Sequence, residues 1–270
     1  MDNPLLLVGC GKMGGAMIEG WLEMGMAPAQ IHIVEPYEPM AAEMRQRGLG
    51  AVGSQSELPA DLAPGIVLFA VKPQSMDEAA APFAVYCSPG TAFLSIAAGK
   101  TIAYFEALLG DDAAIVRSMP NTPAAVRRGI TVATSNAHVS SVQRDTCNRL
   151  LEAVGEVAWV DDEGLIDAVT AVSGGGPAYV FLLVECLAQA GIDAGLPAEL
   201  SAQLARVTVS GSGELLRQSD ELPSTLRENV TSPGGTTAEA LRVLMSEDGW
   251  QPLVTTAIAA ATARSRELAG

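Results

Sequence analysis

The stretch from Gly9 to Gly14, GCGKMG, constrains the fold of this chain more than any other feature. It has the spacing G-x-G-x-x-G, an apolar run precedes it, and a helical pattern from Lys12 to about Met24 follows it. The spacing alone is weak, but a strand before it and a helix after it are the context in which such a turn binds phosphate. The first glycine permits a tight turn, Gly11 lets the main chain approach an anion, and the last glycine lets helix and strand pack closely.

The ligand that this turn predicts is the pyrophosphate of a dinucleotide, because the free N–H groups of a helix start favour an anion. The alternative is a tight strand-to-helix turn without a ligand. The residues expected to contact the cofactor here are Gly9, Gly11, Lys12, Met13 and Gly14.

Glu35 ends the second predicted strand, at about the 20-residue distance from the glycine motif where an acidic side chain accepts hydrogen bonds from the adenosine ribose. A carboxylate there would repel a 2′-phosphate, so this position favours NAD over NADP. The nearest arginines, Arg45 and Arg47, come ten or more residues later. The alternative is that Glu35 caps a turn before Pro36.

Short β-branched runs alternate with helical stretches through the first part of the chain, which indicates a parallel sheet with crossover helices. The first two runs end at the glycine motif and at Glu35. We therefore predict an α/β fold with an N-terminal Rossmann-type domain over residues 1–160. The further strand candidates are IVLFAVKP (66–73), TAFLSIAAG (91–99), AIVRSMPN (114–121) and GITVATS (129–135).

The loops after these strands should meet at the carboxyl edge of the sheet, where a dinucleotide binds. Each of them alone is ordinary loop chemistry, and a lysine after a strand is usually a surface residue. Pro73 restricts the loop around Lys72 and favours a functional role for it. The cofactor contacts predicted on this edge are Ala70, Val71, Lys72, Pro73, Ser95, Ala97, Met119, Pro120 and Asn121.

After about Val160 the strand pattern gives way to alanine, leucine and glutamate at helical spacing, with helices predicted around 164–190, 197–218 and 235–268. We therefore predict an all-helical second domain over residues 161–270. The run YVFLLVECLAQAGI is apolar nearly all round, which indicates burial against a second subunit in a homodimer. The alternative is a helix enclosed within one subunit.

The formal net charge is −15, from 31 acidic against 16 basic residues, and no basic run interrupts it. We therefore expect neither nucleic acid nor an anionic membrane surface as a partner. Four scattered cysteines and two histidines predict neither a metal site nor a disulfide framework. The first residues lack the order and length of a secretion signal, so we expect a cytoplasmic protein.

The stretch from Ala168 to Val184 carries no charge and could be mistaken for a membrane span. It is shorter than the ~20 apolar residues that a spanning helix needs, and Asp167 and Glu185 flank it closely. Its middle reads SGGGP, so we predict a buried helix interrupted by glycines.

Lysine occurs only at positions 12, 72 and 100, and histidine only at 32 and 138. The predicted helical domain therefore contains neither, and a dehydrogenase mechanism with a lysine or histidine base in that domain is excluded. The chemistry must need little general acid or base from this part of the chain.

The stretch TSPGGTT, from Thr231 to Thr237, introduces a second glycine-rich turn before a helix. The N–H groups of Gly235, Thr236 and Thr237 should be unpaired there and suit a carboxylate. The alternative is a plain capped helix start, with Ser232 or Thr236 as the cap and a supporting glutamate three residues into the helix. The residues alone leave both interpretations open.

Five motifs, in this order, resemble pyrroline-5-carboxylate reductases over nearly the whole chain. The last two are specific to that family, and the others are shared with further Rossmann reductases. The motifs are VGCGKMGGAM, AVKPQ, RSMPNTP, DAVTAVSGGGPAYVF and ENVTSPGGTTAEAL.

The resemblance implies reduction of the cyclic imine of 1-pyrroline-5-carboxylate to L-proline, the last step of proline biosynthesis, with hydride from NADPH or NADH. It also implies a homodimer through the C-terminal helices, with a larger ring of dimers left open. In the implied pocket the substrate carboxylate meets the main chain around Gly234, Gly235 and Thr236. The ring nitrogen lies near the hydroxyl of Thr237, the implied catalytic residue, and Asn229 and Ser232 belong to the same pocket.

Two positions depart from the family pattern. The usual SGSGPAY is SGGGPAY here, which removes a hydroxyl at Gly175, and Glu35 disfavours the NADPH that many members prefer. Two other functions stay open: a reductase of a six-membered cyclic imino acid, and a dinucleotide-sensing protein without turnover.

Overall fold

The computed structural model describes residues 3–269, whose strands form one eight-stranded sheet in the order β3-β2-β1-β4-β5-β6-β7-β8. The strands are β1 (Leu5–Val8), β2 (Ile31–Val34), β3 (Gly50–Val52), β4 (Ile66–Phe69), β5 (Ala92–Ser95), β6 (Ala114–Met119), β7 (Gly129–Ser135) and β8 (Gly155–Trp159).

Helices cover the sheet in the first part of the chain and make up nearly all of the rest. They are α1 (Lys12–Glu23), α2 (Glu38–Gln46), α3 (Met76–Ala80), α4 (Ile102–Leu109), α5 (Ser141–Glu152), α6 (Leu165–Val169), α7 (Gly176–Asp193), α8 (Ala198–Gln218), α9 (Pro223–Asn229), α10 (Thr236–Leu244) and α11 (Trp250–Ala269). A π-helical turn, Thr170–Gly174, joins α6 to α7.

The sheet is parallel from β3 across to β6, and β7 is antiparallel to β6. The link between Met119 and Gly129 contains only a short 3-10 turn, and it is too short for the crossover that a parallel pair requires. β8 then pairs parallel to β7. The predicted α/β fold with a Rossmann-type sheet and a helical C-terminal region is confirmed, with this one reversal.

The core lies on both faces of the sheet, as the continuously apolar strands predict. In β1, Leu5 and Leu7 belong to one buried cluster, and Leu6 and Val8 belong to another. The second cluster contains Phe69, whose ring stacks on two others at centroid distances of 5.7 and 6.1 Å. Parallel strands need both faces covered, and the crossover helices supply that cover within the single chain.

The helical part departs from the sequence prediction at two points and agrees with it at a third. The predicted helix over 235–268 is two helices, α10 and α11, and the turn between them contains Gly249, where a Cβ would lie 2.3 Å from the carbonyl oxygen of Leu244. α9 was not predicted, since only a turn was expected before the second glycine-rich stretch. The helix around 164–190 is interrupted at its glycines as predicted, because the π-helical turn ends at Gly174 and α7 begins after its N-cap Gly175.

The chain divides into two compact units. The sheet unit runs to Gly174 and includes the residues from Ala261 onward, and the helical unit is Gly175–Ala260. The predicted domain boundary after residue 160 lies just past the last residue of β8, and it remains a prediction. Within the sheet unit, Ser265 of α11 donates a hydrogen bond to Asp167 of α6 at 2.7 Å.

The helical unit leaves most of its large apolar side chains exposed in the single chain. α7, α9 and α10 contain no buried residue, and α8 contains only Ser201 and Ala205. The helical run Leu165–Asp193 is long and apolar enough to cross a membrane, although a core helix passes the same test, and only 6% of its most apolar window is buried. The predicted burial of this run is therefore not met within one chain.

Candidate functional site

The strand order of the sheet indicates where a ligand would bind. β1 lies between β2 and β4 in the sheet, so the strand order reverses at β1. In open α/β sheets this switch point, beyond the carboxyl ends of the strands, is where ligands bind. The glycine motif follows β1 directly, and the loop containing Lys72 follows β4.

The glycine-rich loop has the geometry that its spacing predicts. Gly9 has a φ of +90°, and a Cβ there would lie 2.8 Å from Val71 Cγ1. A Cβ at Gly14 would lie 2.6 Å from the carbonyl oxygen of Gly9, so helix α1 can pack this closely on the loop only if residue 14 is glycine. A Cβ at Gly11 would meet nothing within 4 Å, which leaves this face of the loop open to a ligand.

Helix α1 begins without a side-chain cap. Gly11 is its N-cap, and the first helical hydrogen bond runs from the Gly15 N–H to the Gly11 carbonyl at 2.8 Å. The N–H groups of Lys12, Met13 and Gly14 precede that bond and have no helical acceptor. These free N–H groups can donate hydrogen bonds to an anion such as the pyrophosphate of a dinucleotide.

Glu35 lies directly after β2 and accepts two main-chain hydrogen bonds. Its Oε2 accepts the N–H of Cys10 at 2.8 Å, and its Oε1 accepts the N–H of Tyr37 at 2.9 Å. The carboxylate therefore contacts the glycine-rich loop itself. The sequence places Glu35 at the ribose end of the site but does not predict this contact, which requires β1 and β2 to be neighbours.

The two arginines at the end of α2 are both engaged by carboxylates. Arg45 pairs with Glu38 and also donates to the carbonyl of Ala51, and Arg47 pairs with Glu19 at 2.7 Å. Neither guanidinium is left for a 2′-phosphate without losing an ion pair. These pairs leave the negative charge of Glu35 without an arginine partner among the described residues.

Lys12 and Lys72 lie on either side of the switch point, after β1 and β4. Both are exposed, and neither takes part in an ion pair within residues 3–269. Lys100, after β5, is instead stacked 4.0 Å above the Tyr104 ring and lies 3.9 Å from Asp77. Lys12 and Lys72 are thus free to meet an anionic ligand at this edge.

The other predicted cofactor contacts lie along the same edge at different depths. Ala70 and Val71 are half-buried, and Pro73 begins a 3-10 turn. Ser95 and Ala97 lie in the buried layer, and the Ser95 hydroxyl accepts the N–H of Ala97 at 3.2 Å. Direct contact of these two side chains with a cofactor remains a prediction.

Met119, Pro120 and Asn121 follow β6 at the same edge. Met119 and Asn121 are half-buried and Pro120 is buried. The Asn121 side chain accepts the N–H of Ile130 at 3.0 Å, which ties this loop to β7. The loop is therefore held in place by the antiparallel neighbour of β6.

The sequence does not predict the ion pair between a buried arginine of β6 and a half-buried glutamate. Arg117, only 3% exposed, donates to Glu163 at 2.6 Å, and the same oxygen accepts the N–H of Ile102 at the start of α4. Glu163 therefore joins β6, α4 and the segment that leads into α6. An arginine inside the apolar run AIVRSM is the sequence feature that could have indicated a buried partner.

The second glycine-rich turn lies between α9 and α10. Gly234 has a φ of +68°, and Gly235 is the N-cap of α10, with no side-chain cap. The proposed cap by Ser232 or Thr236 is therefore absent. The prediction that the Gly235 N–H is unpaired is wrong, because it donates to the Ser232 carbonyl at 3.0 Å and closes the turn.

The unpaired N–H groups of α10 are those of Thr236, Thr237 and Ala238, since the first helical bond is from the Glu239 N–H to Gly235. The set that could hold a carboxylate is shifted one residue along the chain. Thr237 is half-buried, whereas Ser232 and Asn229 are exposed, and the Asn229 amide donates to Glu221 at 3.3 Å. All six predicted substrate residues lie within the helical unit.

Two helices of the sheet unit begin with a side-chain cap. Thr101 caps α4 by accepting the N–H of Tyr104, and Ser140 forms a capping box with Gln143 at α5. The starts of α1 and α10 differ, since each has a glycine N-cap and a glycine of positive φ shortly before it. The two helices are alike in leaving their first N–H groups open.

Burial shifts the pKa of two side chains of the sheet unit, His32 and Cys10, away from the range useful for proton transfer near pH 7. Burial lowers the pKa of His32, which stays neutral at pH 7. Burial, and then the Glu35 carboxylate, raise the pKa of Cys10 to about 11, so this thiol is protonated. Within residues 3–269 no group of three His, Cys, Asp or Glu side chains could hold a metal ion.

Two family models match the chain. One described as pyrroline-5-carboxylate reductase dimerisation matches residues 163–268, and one described as NADP oxidoreductase, coenzyme F420-dependent, matches residues 5–99. A pyrroline-5-carboxylate reductase of Pseudomonas aeruginosa is 40% identical over 100% of this chain and 98% of its own length. The chain belongs to the pyrroline-5-carboxylate reductase family.

Further family members agree along the full length. The Escherichia coli pyrroline-5-carboxylate reductase is 36% identical over 99% of both chains. A solved pyrroline-5-carboxylate reductase from Coxiella burnetii has a TM-score of 0.93 at 31% identity, covering 100% of both chains. The Plasmodium falciparum enzyme, solved with NADP bound, has a TM-score of 0.81 at 31% identity over 100% of this chain and 99% of its own.

The family assignment explains the exposed helices. The dimerisation model spans α6 to α11, in which most large apolar side chains are uncovered in the single chain. This chain therefore carries the oligomerisation region of its family.

Proposed function

We propose that this protein reduces 1-pyrroline-5-carboxylate to L-proline with hydride from NADH or NADPH. Membership in the family over the whole chain supports the reaction. The observation that carries it is the start of α10, where a glycine N-cap leaves the N–H groups of Thr236 and Thr237 open to the substrate carboxylate.

The glycine-rich loop after β1 fits the dinucleotide. The face of Gly11 is open, and three N–H groups of α1 await an anion. In this role Gly9, Gly11, Lys12, Met13 and Gly14 hold the pyrophosphate, and the loops after β4 to β6 border the nicotinamide half. When bound, the dinucleotide supplies the hydride.

The residues of the helical unit position the imine and its charge. The open main-chain N–H groups of Thr236 and Thr237 bind the carboxylate, the turn at Gly234 and Gly235 positions them, and Asn229 and Ser232 border the same pocket. The imine nitrogen can be protonated in solution, so the site chiefly orients the imine carbon and excludes water. In this proposal Thr237 hydrogen-bonds the ring nitrogen, a role that the lack of lysine and histidine in this unit supports.

The test is a steady-state assay that follows the absorbance of reduced nicotinamide with 1-pyrroline-5-carboxylate and with the six-membered imino acid. The five-membered substrate should be turned over faster. Thr237→Ala should lower kcat about tenfold, the size of one lost hydrogen bond, with dinucleotide affinity unchanged. Thr237→Ser keeps the hydroxyl and should restore most of the rate; an undiminished rate in the alanine variant would contradict the assigned role.

We further propose that NADH is preferred to NADPH. Glu35 lies at the ribose end of the site, and Arg45 and Arg47 are held by other carboxylates. Glu35→Ser should raise the ratio of NADPH to NADH use. An unchanged ratio in steady-state comparison would argue against the preference.

We also propose a homodimer in the cytoplasm, built through the exposed helices 163–268 and open to assembly into a ring of dimers. The apolar side chains of α7 then meet a second copy rather than a membrane or nucleic acid, which the net charge of −15 also disfavours. Sedimentation velocity of the protein without detergent would test this, since a detergent requirement would favour a membrane instead.

A further inference from the structure

We infer that Glu35 is a positioning residue that holds the glycine-rich loop in its anion-binding form, in addition to any contact with ribose. The inference rests on the proposed dinucleotide site. It concerns the main chain of Cys10 and Tyr37, which the carboxylate joins, rather than the selectivity between the two cofactors.

The two carboxylate oxygens of Glu35 are used separately. Oε2 accepts the Cys10 N–H at 2.8 Å and Oε1 accepts the Tyr37 N–H at 2.9 Å. The main-chain N–H of Glu35 itself donates to Val52 of β3 at 2.9 Å. The side chain therefore links the loop after β1 to a segment that is fastened to the sheet edge.

The loop has few other restraints on its open side. The Gly9 N–H donates to the Val34 carbonyl at 2.9 Å, and the next restraint along the loop is the bond from Cys10 to Glu35. Gly11 follows with an open face, and its freedom as glycine is otherwise large. Holding the Cys10 N–H therefore sets the direction in which the main chain of Gly11 enters α1.

The charge of Glu35, taken alone, would predict that this residue weakens anion binding. A carboxylate close to the loop repels a pyrophosphate, and its field reaches the loop, since Glu35 contributes to the raised pKa of the Cys10 thiol after burial. If repulsion dominated, removing this charge would tighten anion binding. If positioning dominates, removing it weakens binding, so the two effects differ in sign.

The ligand for the test is 2′,3′-dideoxy-ADP. It keeps the pyrophosphate but has no ribose hydroxyl for Glu35 to bind and no 2′-phosphate for it to repel. Binding to the whole protein is measured by titration calorimetry without any imine, so a failure of the proposed reaction leaves the result interpretable. Wild-type protein that does not bind this ligand would overturn the inference together with the dinucleotide site.

Glu35→Gln is the principal variant, because an amide has one acceptor for the two N–H groups. We expect it to bind dideoxy-ADP about tenfold more weakly, the size of a lost hydrogen bond to a charged group. Glu38→Gln removes the same charge three residues away, without a contact to the loop, and should bind within about twofold of the wild type. Equal or tighter binding by Glu35→Gln would overturn the inference.

Hydrogen exchange supplies a second measurement. The Cys10 amide should exchange faster in Glu35→Gln than in the Glu38→Gln control, while amides of β1 keep their protection. Unchanged exchange at Cys10 would contradict the positioning role. If Glu35→Gln does not fold, Glu35→Asp retains the charge but is one methylene shorter, and it should show the same losses.

Discussion

The sheet unit buries most of its large apolar side chains within the single chain, whereas the helical unit leaves most of its own exposed. In β1, Leu5, Leu6 and Leu7 are 0% exposed, and crossover helices cover both faces of the sheet. In α7, Val180 and Phe181 are 46% and 63% exposed. The first unit is complete within one chain, whereas the second presents the surface that its family uses for dimerisation.

The difference follows from which neighbours cover the apolar side chains of a parallel strand and of an apolar helix. A crossover connection returns a helix to the sheet it leaves, so a parallel sheet acquires its cover from nearby sequence. A helix that is apolar nearly all round needs neighbours on every side, and α7 packs mainly on α8 within the described unit. Its other faces are uncovered in the single chain, in the region that the dimerisation family model matches.

The largest expected effect is on the completed core. Phe69→Ala removes a ring that packs against Phe83, Phe93 and Phe105, and it should lower the free energy of unfolding by about 3–5 kcal/mol. Denaturant unfolding followed by tryptophan fluorescence measures this. Val85→Ala, at a position 72% exposed, is the control and should change stability by less than about 0.5 kcal/mol. Equal losses in the two variants would remove the contrast between core and surface.

The next effect is on assembly. Phe181→Asp places a charge on the uncovered face of α7 and should weaken the dimer by about 3 kcal/mol, a loss typical of a central interface residue. Sedimentation velocity should show dissociation at concentrations where the wild type is dimeric. Val85→Asp places the same charge on an exposed position of the sheet unit and should leave the dimer intact. A dimeric Phe181→Asp protein would place the interface elsewhere.

A smaller effect is expected at the first glycine-rich loop, where one variant should change NADH affinity and another should change stability. The Cβ added in Gly11→Ala has open space in the free protein, so the melting temperature should stay close to that of the wild type. It occupies the face that receives the pyrophosphate, and NADH affinity should fall about tenfold by fluorescence titration. Gly14→Ala is the contrasting variant, because its Cβ would lie 2.6 Å from the Gly9 carbonyl and should destabilise the fold. Unaltered NADH affinity in Gly11→Ala would exclude this loop as the binding site.

The smallest expected effect is a fall in the free energy of unfolding of the sheet unit at alkaline pH. Burial raises the pKa of Cys10 to about 11 and that of Cys147 to about 12, from a usual value near 9. Below pH 9 both thiols are protonated in the folded and unfolded states, and their contribution is fully present. As the pH rises from 9 through 11, the unfolded chain loses these protons first, so the free energy of unfolding falls. Denaturation at several pH values should show a shallower fall in Cys10→Ala.

Much of the sheet unit was predictable because its information is local. The glycine motif, the apolar strands and the intervening helical stretches each follow from spacing within a few residues. The strand β3 was not predicted, since three residues carry too little pattern, and neither was the reversal at β7. The Arg117 pair with Glu163 joins positions far apart in the chain, which no local pattern reveals.

The second glycine-rich turn shows the same limit at one site. The sequence predicts a turn and a helix start but leaves a side-chain cap and an open terminus as equal alternatives. The structure distinguishes them, because Gly235 is the N-cap and the Ser232 carbonyl takes its N–H. The choice depends on main-chain angles such as the positive φ of Gly234, which residue type permits but does not impose.

The sequence by itself determined the fold class, the family, the two glycine-rich helix starts and the absence of lysine and histidine from the helical region. These properties depend on residue types and on spacings along the chain. Only the tertiary structure decided that Glu35 binds the loop of Cys10, that Arg45 and Arg47 are already paired, and that α7 is uncovered in one chain. Those properties depend on which side chains and segments the folded chain makes neighbours, because hydrogen bonds and burial act only over the few ångströms between neighbours.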